Sequence, residues 1–252
     1  MSYKAIFAIA AASDLELHQM DVKPAFLYGL INDLVYVGQP EGLDDDTGRV
    51  CLLNKALHGL KQSPRIWYET LSAYLATLGF KPLTSDLGVF FKGNLYIANY
   101  VDDLLVAGLR LDEIAELKTA LSKRFQMEDL GESHFHLGME IVRDRPNRTI
   151  RLNQRAYTQK ILREFGMECR NKKVSTPMSA DTRLDKAPET FSATEQNRSW
   201  YAKAIGSLMY LMLGTRDIAF AVSCLSRFMS NPVPTSTHNS AVKRVFRYLN
   251  AA

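Results

Sequence analysis

Two adjacent carboxylates, Asp102 and Asp103, interrupt an otherwise almost wholly apolar run at residues 95–108. Runs of this kind bury, and a buried carboxylate must be paired, protonated or bound to metal. Two like charges a few ångströms apart repel by roughly 4 kcal/mol at an effective dielectric of about 20. The nearest cations in sequence, Lys92 and Arg110, lie outside the run. A metal ion is therefore the simplest local neutraliser. The run is too long for one strand, so the acids mark the bend of a hairpin. A plain polar hairpin tip is the competing reading, although no Gly, Asn or Pro stands beside the pair. Successive strand residues point to opposite faces. If the backbone stays extended, one Asp of the pair faces a given site, and such a site needs a third carboxylate from elsewhere.

Asp21 is a candidate for that third carboxylate. Residues 15–22 alternate like a strand, and Pro24, Ala25 and Phe26 follow as a turn that opens a helix with Pro in its first turn. On its own Asp21 reads first as a turn or cap acid.

The remaining periodicity predicts a mixed fold. Residues 5–12 read as a short apolar helix, with a secretory signal as the competing reading. Residues 34–37 and 50–53 are short strands around an acidic loop. Residues 57–65 lead into a helix reaching Leu78, with Trp67, Leu71, Tyr74, Leu75 and Leu78 as its apolar stripe. Lys61 and Arg65 share another face if that helix begins early enough. Strands at 89–91 and 95–100, a short apolar stretch at 104–107 and a helix at 112–125 follow. A strand at 135–142, a return strand at 149–152 and an amphipathic helix at 154–165 come next. Residues 175–197 are polar, hold Pro177 and Pro188, and read as a linker. Helices at about 200–213, 217–229 and 237–250 close the chain.

At 252 residues, 46% hydrophobic and 23% charged, the chain suits one large globular domain or two smaller ones. The formal net charge of +4 permits a polyanionic partner without demanding one. Cations greatly outnumber acids from residue 143 to 173: Arg143, Arg145, Arg148, Arg151, Arg155, Lys160, Arg163, Arg170, Lys172 and Lys173. Such a segment suits a phosphate backbone, with a solvated basic surface as the alternative. Cys51, Cys169 and Cys224 are scattered and odd in number. They form neither a disulfide framework nor a zinc site and favour a reducing compartment. No apolar run reaches membrane-spanning length.

Several blocks then carry a resemblance. They are Gln19-Met20-Asp21-Val22-Lys23 with Ala25-Phe26-Leu27 and Gly29; Gln39-Pro40-Glu41-Gly42; Gly59-Leu60-Lys61-Gln62 with Pro64-Arg65 and Trp67-Tyr68; and Tyr100-Val101-Asp102-Asp103. Downstream come Asp129-Leu130-Gly131, Leu137-Gly138-Met139-Glu140-Ile141, Thr176-Pro177-Met178, Gly206-Ser207-Leu208-Met209-Tyr210-Leu211, and Lys243-Arg244 with Arg247-Tyr248-Leu249. Each is weak alone. In this order, with this spacing, the set resembles the reverse transcriptase of copia-type retrotransposons.

The resemblance implies an α+β right-hand polymerase, with an antiparallel palm sheet backed by helices. It implies partial fingers and palm over 1–142, a basic hairpin and thumb-like helix over 143–174, a linker over 175–198 and a C-terminal helical connection region over 199–252. It implies template-directed addition of deoxynucleotides to a primer 3′ end on an RNA or DNA template. Two Mg²⁺ or Mn²⁺ ions would be held by Asp21, Asp102 and Asp103 with the Val22 backbone carbonyl. Two such ions stabilise the attacking and leaving oxygens of phosphoryl transfer, which needs positioning more than covalent help. Ala25, Phe26, Gly59, Lys61 and Tyr100 would meet the deoxynucleoside triphosphate, with the Phe26 ring crowding the sugar 2′ position. Gln62, Ser63, Pro64, Arg65, Leu137, Gly138, Met139 and Glu140 would meet template and primer. The family implies an intracellular location, a cytoplasmic particle or the nucleus, and no membrane.

The chain also departs from the family pattern. Set against the resemblance, a truncated fingers region ahead of the first helix and an RNase H region absent after the last are expectations. Pro24 stands where a residue with a backbone N–H is usual, and proline has none. His58 replaces an aromatic residue, Glu128 stands where Lys is common, and no Pro separates Arg216 from Asp217. These departures support a second expectation, a catalytically inactive retrotransposon remnant that at most binds nucleic acid. A nucleotide cyclase on a palm fold is a third, which the downstream blocks oppose.

Overall fold

The computed structural model describes residues 2–45, 47–168, 174–188, 190–229 and 234–251. Arg170, Lys172, Lys173 and Cys169, singled out above, lie outside them. In chain order the elements are α1 (Ser2–Ser13), β1 (Glu16–Val22), a 3₁₀ turn (Ala25–Tyr28), β2 (Tyr36–Gly38), β3 (Val50–Leu52), α2 (Ser63–Thr77), β4 (Lys81–Pro82), β5 (Val89–Lys92), β6 (Leu95–Tyr100) and β7 (Asp103–Gly108). Then come α3 (Leu111–Arg124), β8 (Met127–Glu132), β9 (Phe135–His136), β10 (Met139–Asp144), β11 (Thr149–Asn153), α4 (Arg155–Glu164), α5 (Glu195–Leu211), a 3₁₀ turn (Arg216–Ile218), α6 (Ala219–Ser226) and α7 (Ser236–Leu249). The chain forms two compact units, one of Met1–His134 with Arg143–Ile150 and one of Phe135–Val142 with Arg151–Ala252.

The first unit is built on a six-stranded sheet of order β4-β5-β6-β7-β1-β8, with antiparallel pairings. Alternation sorts its side chains. Met20, Val22, Ile97, Leu104 and Val106 enter a core with Trp67, Leu71 and Leu75 of α2 and Ile114, Leu117 and Leu121 of α3. Their sheet neighbours Leu17, Leu105 and Ala107 are also buried, so β7 is covered on both faces. That is why residues 104–107 are apolar without alternation. Helix α3 carries Asp112 and Glu113 in its first turn and Lys123 and Arg124 in its last, matching the helix dipole. The acidic loop between β2 and β3 is ordered on Asp45, whose carboxylate accepts from Gln39, Thr47 and Arg49 and is held far below the usual range.

The second unit gathers α4, α5, α6 and α7 around Ile161, Tyr201, Ile205, Leu208, Val222, Leu225, Val242, Val245 and Phe246. The buried Tyr201 hydroxyl donates to the Leu225 carbonyl at 2.8 Å, and burial pushes its ionisation well above normal. Met178 and Leu184, within the polar stretch 175–197, pack against this core. Arg244 of α7 donates to Thr176.

Three expectations change. Residues 135–142 are not one strand, because Leu137 and Gly138 take positive φ (49° and 73°) and fold β9 back on β10. Strand β8 is absent from the periodicity because Met127–Glu132 is polar and mostly exposed; it pairs with β1 as an edge. Helix α2 begins at Ser63, so Lys61 precedes it and shares no helical face with Arg65, which pairs with Glu69 one turn on.

Candidate active site

The hairpin bend expected at the acidic pair is present. Strands β6 and β7 pair up to Tyr100 and Asp103, leaving Val101 and Asp102 as a two-residue turn. Such a turn needs positive φ, usually supplied by Gly or Asn. Here Val101 supplies it, at φ 60°. A β-branched residue in this region costs of order 1–3 kcal/mol and persists only where surroundings enforce it. The enforcing group is Trp67 of α2, fully buried, whose indole N–H donates to the Val101 carbonyl at 2.5 Å. Trp67 is in turn packed edge-on to Phe125 at 5.3 Å.

Strand β1 brings the third carboxylate. Asp21 lies directly opposite Asp103 in the β1–β7 register, and the Val22 N–H donates to the Asp102 carbonyl at 2.8 Å. The three acids therefore belong to one end of neighbouring strands. Asp21, Val22, Ala25, Phe26 and Asp102 line a single cleft of about 470 Å³ with Lys23, Pro24, Leu27, Ala56, Leu57, His58 and Val101. Burial, and after it the Asp102 carboxylate, push the Asp21 carboxyl above its usual range, while Lys23, 3.9 Å away, works the other way. Lys23 itself is paired with Glu128 of β8.

Asp103 is held differently. The Gln19 side-chain amide donates to it at 2.7 Å, and the buried Ser133 hydroxyl donates to the Gln19 side-chain oxygen at 3.3 Å. Gln19 lies two residues before Asp21 and so on the same strand face. That period-two position is the signal available in the sequence. Trp67 reads from sequence as an ordinary stripe residue, and nothing in its spacing distinguishes its N–H.

The other expected site residues distribute as follows. The Phe26 ring lies 5.2 Å from His58 at a tilt of 52°. Gly59, at φ +94°, and Lys61 are exposed just ahead of α2, and Tyr100 is exposed beside the turn. Of the residues expected to meet template and primer, Pro64 and Arg65 are exposed at the start of α2, with Gln62 half-buried before it. Ser63 is fully buried, its hydroxyl donating to the Leu57 carbonyl at 2.6 Å. Leu137 and Gly138 form the β9–β10 turn of the second unit, followed by buried Met139 and half-buried Glu140.

The donor set suits a hard divalent cation, which takes carboxylate oxygens. Asp21 and Asp102 form an under-neutralised pair in one cleft, which such a cation would relieve. Among the described residues no group of three or more His, Cys, Asp or Glu side chains is gathered around one point.

Comparison with known proteins defines the class. A profile of the reverse transcriptase (RNA-dependent DNA polymerase) family matches residues 1–180. The chain belongs to this family, and it is a copia-type reverse transcriptase domain of the kind found in retrotransposon Pol polyproteins. It is 41% identical to the retrovirus-related Pol polyprotein from transposon TNT 1-94 of Nicotiana tabacum, over 98% of this chain and 19% of that protein. It is 37% identical to the corresponding polyprotein from transposon RE1 of Arabidopsis thaliana, over 98% of this chain and 17% of that protein. A transposon Ty5-1 protein of Saccharomyces cerevisiae is 33% identical over 91% of this chain and 75% of its own length. The chain thus spans about a fifth of the plant polyproteins it matches. Reverse transcriptases are in general dependent on divalent metal and act on a nucleic-acid template, a primer and deoxynucleoside triphosphates. No helix among the described residues is long and apolar enough to cross a membrane.

Proposed function

We propose that the cleft at Asp21 and Asp102 is the site of template-directed deoxynucleotide addition, with the first unit's sheet serving as a polymerase palm. The observation that carries the reading is the β1–β7 register, which sets Asp21 opposite Asp103 at the turn bearing Asp102. Asp21 and Asp102, with the Val22 carbonyl, hold two Mg²⁺ or Mn²⁺ ions. When bound, the ions supply charge neutralisation for the attacking 3′-oxygen and the leaving pyrophosphate. Asp103 stays on Gln19 and supports the turn. Phe26 and Ala25, beside the acids, wall the sugar pocket, and the Phe26 ring excludes a 2′-hydroxyl. Gly59, Lys61 and Tyr100 meet the incoming deoxynucleoside triphosphate. Gln62, Ser63, Pro64 and Arg65 place the template, Ser63 through the loop it braces. The β9–β10 turn, Leu137 to Glu140, holds the primer end.

The test is primer extension on an RNA template, with Mg²⁺ and Mn²⁺ in parallel and an Asp102→Asn, Asp103→Asn double variant beside the wild type. Extension by the wild type that the double variant loses supports the reading. Extension unaffected by the double variant removes it. A second reading, nucleic-acid binding without turnover, is favoured by Pro24. It lines the same cleft and offers no N–H to a phosphate there. That reading predicts salt-dependent duplex binding and no extension from folded wild-type protein.

A further inference from the structure

Two segments of the second unit meet at one hydroxyl. The β9–β10 turn is made by Leu137 and Gly138, both at positive φ. β9 pairs with β10 through only His136–Met139 and Phe135–Glu140. β10 is the central strand of a three-stranded sheet of order β11-β10-β9, so β9 is an edge held to it by two residue pairs, and the tip beyond them gains from a side chain that reaches it. The side chain that reaches it is Tyr210 of α5. The Tyr210 hydroxyl donates to the Leu137 carbonyl at 2.6 Å. A Cβ built on Gly138 would collide with the same hydroxyl oxygen. Glycine is thus required twice at 138, for the backbone hand and for the approach of Tyr210.

Tyr210 is itself fixed. Its ring meets Tyr157 of α4 edge-on at 4.7 Å. Its carbonyl accepts from the side-chain amide of buried Gln154 at 3.2 Å, and the oxygen of that amide accepts from the Gly214 N–H at 2.8 Å. The clasp joins the ends of α4 and α5 to the hairpin tip.

We propose that Tyr210 is a positioning residue for the primer end, acting through the Leu137 carbonyl on the β9–β10 turn. The inference rests on the reading of that turn as the primer contact. It explains why the Leu137-Gly138 block and the block ending in Tyr210-Leu211 stand together in one chain: the glycine of one accommodates the hydroxyl of the other.

The experiment uses the full chain with Tyr210→Phe, which keeps the ring on Tyr157 and removes only the hydroxyl. Hydrogen exchange of the Met139 and Glu140 amides reads the tether directly and needs no catalysis. Steady-state primer extension reads KM for primer–template separately from KM for deoxynucleotide. The expected result is exchange faster by about fivefold, the loss of one neutral hydrogen bond, and a similar rise in primer–template KM with deoxynucleotide KM unchanged. Gly138→Ala should raise primer–template KM further, and adding Tyr210→Phe to it should recover part of that rise, because the oxygen struck by the new methyl is gone. Unchanged exchange in Tyr210→Phe overturns the tether. Faster exchange with unchanged primer–template KM, or additive effects of Gly138→Ala and Tyr210→Phe, overturns the positioning role. If wild type neither binds nor extends a primer while exchange still responds, the primer assignment of the turn fails, the positioning role falls with it and the tether stands.

Discussion

At the scale of single residues, the site depends on groups that are not acids. Gln19 and Ser133 form a relay that fixes Asp103, leaving Asp21 and Asp102 to the cleft. A hydrogen bond to a charged group is worth about 1.5–3 kcal/mol, tenfold or more in an equilibrium, and Asp103 adjoins the turn that bears Asp102. Gln19→Leu is therefore expected to lower Mg²⁺-supported extension by about tenfold, and Gln19→Glu, which places a carboxylate against Asp103, to lower it further. Metal-concentration series on each variant check this. Trp67 acts on the same turn from behind, holding the Val101 carbonyl with Val101 at φ 60°. Trp67→Phe keeps an aromatic ring in the core and loses the N–H. It should destabilise the first unit by about 1 kcal/mol, the net worth of one hydrogen bond, measured by denaturant unfolding. In the sequence Gln19 is marked only by its period-two position before Asp21, and Trp67 not at all. An acid in an apolar run declares itself through charge. A donor such as Gln19 or Trp67 declares itself only when its partner is in place.

At the scale of elements, the legible parts are those whose pattern comes from burial. Helices α2 and α3 and strands β1, β5 and β6 carry stripes or alternation and fall where periodicity puts them. Strand β8 is an exposed edge with no apolar pattern, and the β9–β10 turn interrupts an apolar run through backbone hand alone. Periodicity is blind to both. The N-terminus of α7 shows a further local device. The Thr235 N–H donates to Nδ1 of His238, which is 1% exposed and packs against Phe228 at 4.0 Å with the rings tilted by 43°. Burial pulls the His238 imidazole below its ordinary value of 6.5, and a proton on Nδ1 would also displace the cap. Below pH 6.5 the unfolded chain takes up a proton that the folded chain resists. The stability from neutral His238 is thus complete above pH 6.5 and is lost as pH falls through the lower folded value. His238→Gln retains a capping-box acceptor and should flatten this acid-side loss. Melting temperatures of both proteins from pH 7.5 to pH 5, taken as a difference, test it.

At the scale of the whole molecule, the basic segment is not uniform. Arg143 donates to the Leu15 carbonyl and Asp14, and Arg145 to Asp14 and Glu16. These two arginines tie the end of β10 to the start of β1. Arg148, Arg151, Arg155 and Lys160 are exposed. Charge counting alone puts all of them on a phosphate backbone, because it does not see which cations already have carboxylates. Replacing Arg151 and Arg155 by Ala should lower the slope of log affinity against log salt for duplex binding, by about 1 for each phosphate no longer neutralised. Arg143→Ala should lower the melting temperature and leave that slope unchanged. Equal effects of both changes on the slope would return Arg143 to the nucleic-acid surface.

The measurement that bears most directly on the account is Mn²⁺ binding to wild type, Asp21→Asn and Asp102→Asn, followed by paramagnetic resonance of the free ion. The two carboxylates share one cleft, and the Asp102 charge raises the cost of ionising Asp21. Each substitution should therefore weaken Mn²⁺ binding by about tenfold or more in protein that circular dichroism shows to be folded. Mn²⁺ affinity equal in all three proteins would contradict the assignment of Asp21 and Asp102 as the metal site.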